Sequence, residues 1–93
     1  MASRFAQQGR PEASAILEVL RGKVNMEFRR NCRILVRDNG PVSIQVRHPG
    51  LVYTMRQRWL GTVMEAISTQ VPKLAGRRIV FEHGAAGLSF GES

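Results

Sequence analysis

Arginine is the residue with the most chemistry to offer in this chain. It supplies twelve of the fourteen cations, which stand against seven carboxylates and leave a formal net charge of +7 on 93 residues. A guanidinium presents a planar fork of donors that matches phosphate or carboxylate oxygens two at a time, whereas lysine is a hydrated point charge. A balance this basic on so short a chain points to a polyanionic partner, either nucleic acid or an acidic protein surface. The plainer reading is a basic coat that serves solubility. Residues suited to covalent or metal chemistry are sparse. His48 and His83 have no cysteine or carboxylate at metal-ligand spacing. Cys32 lies in an alternating apolar segment and reads as a small core hydrophobe rather than a nucleophile. Neither a GxxxxGK[ST] loop nor a GxGxxG turn is present. These features predict a binding module and not an enzyme, with no cofactor and no metal.

The arginines are useful only if ordered elements hold them together. Residues 1–10 are polar, contain glycine and show no apolar period, so they read as a flexible leader without the apolar run of a secretory signal. Pro11 and Glu12 suit the first turn of a helix. Ile16, Leu17, Leu20, Val24 and Phe28 then recur at helical spacing to about Arg30, with Gly22 marking a kink or a break. Cys32, Ile34 and Val36 alternate with Arg33, Leu35 and Arg37, as Val42, Ile44 and Val46 do with Ser43, Gln45 and Arg47, and Asp38-Asn39-Gly40 between them is a hairpin signal. A three-residue loop pairs Val36 with Val42, Ile34 with Ile44 and Cys32 with Val46, keeping one face apolar. A two-residue loop would slip the register and mix the faces. After His48-Pro49-Gly50, the residues Leu51, Met55, Trp59, Val63 and Ile67 give the clearest helical stripe, which Pro72 ends. Residues 77–82 form a last strand, and 83–93, rich in Gly, Ala and Ser, read as a flexible tail. The expected architecture is α+β in the order α-β-β-α-β: one domain over 11–82, a small three-stranded sheet with two helices on one face.

That layout turns Arg33, Arg37 and Arg47 toward solvent together with Ser43 and Gln45, because a sheet covered on one side leaves the other wet. Arg29, Arg30, Arg77 and Arg78 lie at element ends and extend the patch. Tyr53 falls off the helical stripe beside Arg56. It reads either as an aromatic on which a base stacks or as a snorkelling surface tyrosine. Apolar runs reach only three or four residues, far short of the roughly 18 that span a bilayer. A lone cysteine asks for no oxidising compartment, and the default is a cytoplasmic monomer or weak homodimer.

The stretch 32–60, CRILVRDNGPVSIQVRHPGLVYTMRQRWL, resembles the DciA family of bacterial replicative-helicase loaders. Cys32-Arg33 matches a frequent strand start and Asp38-Asn39-Gly40 the turn. Val42–Val46 corresponds to the second strand, Leu51, Met55 and Arg56 to an aromatic-x-x-x-Leu-Arg run, and Ile79-Val80-Phe81 to the closing strand. The layout is also similar to the helicase-contacting N-terminal domain of the initiator DnaA. The resemblance implies a type II KH-like fold, a replicative helicase as partner, and single-stranded or forked DNA as ligand. The alternatives are a KH-like RNA-binding or ribonucleoprotein component, or a regulatory protein that docks on an acidic surface. The Gly-x-x-Gly loop with which KH domains clamp RNA is expected to be absent, which weighs against that mode.

Overall fold

In the computed structural model, residues 10–37 and 40–91 are described. The leader 1–10 therefore lies outside them but for the backbone of Arg10, as do Asp38 and Asn39 of the hairpin turn. Helix α1 (Arg10–Arg21) buries Ala13, Ile16, Leu17 and Leu20 on one stripe. The helical period does not run unbroken to Arg30. At Gly22 the backbone turns, with Lys23 N and Val24 N both donating to Leu20 O. A separate helix α2 (Met26–Asn31) then begins at Asn25, whose side-chain oxygen accepts from Phe28 N at 3.0 Å. Two local preferences thus overrule a continuous apolar period: glycine disfavours the helix interior, and asparagine satisfies the first free amides of a new one.

Strands β1 (Cys32–Val36) and β2 (Val42–Val46) pair antiparallel in the register that keeps one face apolar, with Val36 opposite Val42, Ile34 opposite Ile44 and Cys32 opposite Val46. A short 3-10 turn (Pro49–Leu51) leads into α3 (Val52–Gln70), which buries Met55, Val63, Ala66 and Ile67. Leu51 and Trp59 on the same stripe are only half-buried. A second 3-10 turn (Pro72–Leu74) follows, and β3 (Ile79–His83) then returns parallel to β2, with Phe81 beside Ile44. Helices α1 and α3 pack on each other, and the inward side chains of β1, β2 and β3 join theirs in one core.

The sheet has four strands, not three, in the order β3-β2-β1-β4. Residues 83–91 are also not the expected loose tail: His83 ends β3, and Leu88–Ser89 form β4, antiparallel to β1. Between them, 84–87 cross β1 on its outer side. The crossing is tight at both ends. A Cβ on Gly84 would overlap the Gln45 amide. Gly87, at φ 100°, lies so close to Ile34 that a Cβ would sit 2.5 Å from its carbonyl oxygen. Only glycine meets both demands at position 87. Beyond β4, Phe90 turns back into the core, where it is 2% exposed and meets Phe28 edge to face at 5.9 Å. Composition hid this because Gly and Ala serve a close backbone approach as well as they serve a flexible segment.

Candidate nucleic-acid interface

The outer face of the sheet carries the alternate residues of the strands that build the core, Arg33 and Leu35, Ser43 and Gln45, Val80 and Glu82, with Arg37 and Arg47 just past the ends of β1 and β2. Ser43 and Gln45 do not face solvent as the alternation predicts; they are 1% and 6% exposed. Glu82, drawn alongside by the parallel pairing of β3, accepts from both. Ser43 Oγ and Gln45 Nε2 each donate to Glu82 Oε2 at 2.6 Å, and Gln45 Nε2 also lies 2.6 Å from Ser43 Oγ. The crossing at Gly84 closes over the Gln45 amide. A buried amide and hydroxyl are tolerable because each has a partner, and bonds to a charged acceptor are the stronger kind. Periodicity alone cannot show this network, since its acceptor lies 37 to 39 residues away in sequence.

The nine candidate site residues separate into three groups. Arg29, Arg30, Arg33 and Arg47 converge at one end of the sheet, where α2 runs into β1 and β2 ends. They line a cleft of about 300 Å³, whose remaining wall includes Gln45 and Phe90. Among the described residues no carboxylate lines this cleft. Arg30, Arg33 and Arg47 are exposed and make no ion pair among the described residues. Arg29 is half-buried, and its Nη1 donates to the carbonyls of Val24 (3.0 Å) and Arg21 (3.3 Å), so it also fastens α2 to the end of α1.

Arg37, Arg77 and Arg78 gather at the opposite end. Arg77 Nη1 donates to Arg37 O at 2.6 Å, and Val42 N donates to Arg78 O at 2.8 Å, tying β3 to the hairpin. Arg77 and Arg78 border an open depression with Gly40 and Pro41. The expected single patch of Arg33, Arg37 and Arg47 is thus two clusters on one face. Arg33 and Arg37 share that face but stand four residues apart, about 13 Å at the roughly 3.3 Å rise of a strand.

Tyr53 and Arg56 join neither cluster. Both are exposed, Tyr53 at 71%, on α3, the layer that covers the other face of the sheet. The nearest aromatic cluster is internal. Phe28 of α2 meets Trp59 of α3 edge to face at 5.7 Å as well as Phe90, so α2, α3 and the segment after β4 share one aromatic cluster. Arg58 lies 5.2 Å from the centre of the Trp59 ring, within cation–π range.

Cys32 reaches the cleft wall but is 1% exposed. Burial, and then the Glu27 carboxylate, push its thiol from 9.0 up to about 12, so it stays protonated and inert as a nucleophile at neutral pH.

Sequence reasoning missed the contribution of 84–91 to the cleft: Gly84, Ala85, Ser89, Phe90 and Gly91 all line it. A signal was there, in the single phenylalanine at position 90 and in Gly84-Ala85-Ala86-Gly87. Against the expectation that Gly-x-x-Gly is absent, this segment carries that spacing, although here it crosses a sheet. No helix among the described residues is long and apolar enough to cross a membrane. No family model, curated protein or solved structure significantly matches the chain.

Proposed function

We propose that this chain is a non-enzymatic, cytoplasmic accessory module of DNA replication. In this reading it binds single-stranded or forked DNA through the cleft of Arg29, Arg30, Arg33 and Arg47 and docks on the replicative helicase. The observation that carries the nucleic-acid part is the convergence of the exposed Arg30, Arg33 and Arg47 beside Arg29 on one cleft that no carboxylate among the described residues lines. Phosphate oxygens would meet the exposed guanidinium groups, whose planar forks suit them. The helicase part rests on the resemblance of residues 32–60 to DciA proteins. The order of helices and strands, with β2 and β3 parallel across a helical crossover, supports reading the fold as type II KH-like.

Size-exclusion chromatography with a hexameric replicative helicase tests the partner. Co-migration at tens of micromolar protein in low salt is the expected result, and separate elution removes the helicase from the proposal. A second reading, an RNA-binding module, is favoured by one feature: the small residues Gly84 and Ala85 border the arginine cleft and would let a nucleic-acid backbone approach closely. Equal-length DNA and RNA strands of one sequence, titrated in parallel, separate the two. Preference for DNA is expected, and tighter binding of RNA would favour the second reading.

A further inference from the structure

We infer that the two arginine clusters are two anchors for one single strand, so that the domain has a minimum ligand length set by the spacing of β1. This rests on the reading of the outer face as a phosphate-binding surface and adds to it the path and the size of the ligand.

Arg33 lies within β1, and Arg37 follows its last residue, Val36, at the same alternation. They belong to clusters that gather Arg29, Arg30 and Arg47 at one end and Arg77 and Arg78 at the other. Arg37 and Arg78 are exposed, and neither is ion-paired among the described residues. The ground between the clusters is uneven in charge. On the β3 side stands the Glu82 carboxylate with Ser43 and Gln45 bound to it, which repels a phosphate. On the β1 side the crossing 84–87 lies over the half-buried Leu35 with only backbone and methyl groups, so it carries no charge, but a strand must pass over it. A polyanion joining the clusters therefore follows the line of β1 over this uncharged crossing.

The 13 Å estimated above corresponds to about four phosphate steps at the ~3.4 Å rise of a stacked strand, and to fewer if the strand is extended. A trinucleotide then occupies the cleft alone, whereas a strand of about six nucleotides reaches both anchors. The second contact becomes intramolecular once the strand can span, so affinity rises by a step and not in proportion to length.

The experiment is a titration of the intact domain with fluorescein-labelled oligothymidylates from trimer to dodecamer at fixed low salt, followed by anisotropy. The expected result is a rise of about tenfold or more between the trimer and about six nucleotides, then a near-plateau. Arg37→Gln with Arg78→Gln should remove the step and leave the trimer affinity unchanged. Arg77 stays intact in that variant because its guanidinium holds the Arg37 carbonyl. A step that survives in the double variant, or affinity that climbs smoothly with length, overturns the two-anchor path while leaving the cleft as a phosphate site. If no oligomer of any length binds the wild-type domain, the nucleic-acid reading falls and this inference with it.

Discussion

The two faces of one sheet are made from alternate residues of the same strands, yet they are held in different ways. On the inner face Ile34, Ile44 and Val46 are fully buried under α1 and α3, and any apolar side chain of suitable volume would serve the same purpose. On the outer face Ser43 and Gln45 are nearly as well buried, but each depends on a single carboxylate, Glu82. The inner face is specified by a repeating pattern and the outer one by particular partners. Removing a partner should therefore cost the outer face more than its small buried area suggests, and the arginines at its margins should cost almost nothing.

The largest effect expected is on the inner side, at the point where the C-terminal segment enters it. Phe90→Ala should destabilise the domain by about 3–5 kcal/mol in urea melts, the usual range for emptying a buried phenylalanine site. A cost below about 1 kcal/mol would return 84–91 to the status of a loose tail. Next comes the outer network. Ser43→Ala removes one of the two donors bound to Glu82 Oε2, and the loss should be about 1–3 kcal/mol although only a hydroxyl is deleted. A neutral result would mean that water satisfies the carboxylate equally well and that the face is open.

Alkaline pH probes the boundary between the faces at Cys32. Its thiol ionises near 12 in the fold and near 8.5–9 in the unfolded chain, so the unfolded state loses its proton first. Stability from this group is complete below pH 8.5, declines by up to about 1.4 kcal/mol per pH unit above it, and is lost as pH passes about 12. Cys32→Ser, which does not titrate in that range, should flatten the alkaline slope. An unchanged slope would show that the thiol is solvated.

The contrast also explains what could be read in the sequence. Cys32, Ile34, Val36, Val42, Ile44 and Val46 fix the hairpin register because a slip by one residue would expose all of them at once. The cations of the cleft were legible as residues, but their grouping was not. Arg33, Arg37 and Arg47 share a parity, and parity says nothing of distance along a strand. Arg29 and Arg30 reach the cleft only because Asn25 starts a new helix that ends where β1 begins. The Glu82 network and the crossing at Gly84 and Gly87 depend on contacts between residues far apart in sequence, and neither leaves a local pattern. Tyr53 and Arg56 lie on the helical layer because they flank the stripe that Met55 and Val63 bury.

The smallest effect on stability should accompany the largest effect on binding. Arg30, Arg33 and Arg47 are exposed, so replacing all three by Gln should shift the unfolding free energy by no more than about 0.5 kcal/mol per site. The direct measurement is the salt dependence of single-stranded DNA binding, read by fluorescence anisotropy for the wild type and the triple variant. If these side chains neutralise phosphates, log affinity falls linearly with log salt, and the variant's slope is shallower by about 2, at roughly 0.7 per contact. A triple variant that keeps the wild-type slope and affinity would contradict the account and leave the arginine cleft a solvated surface.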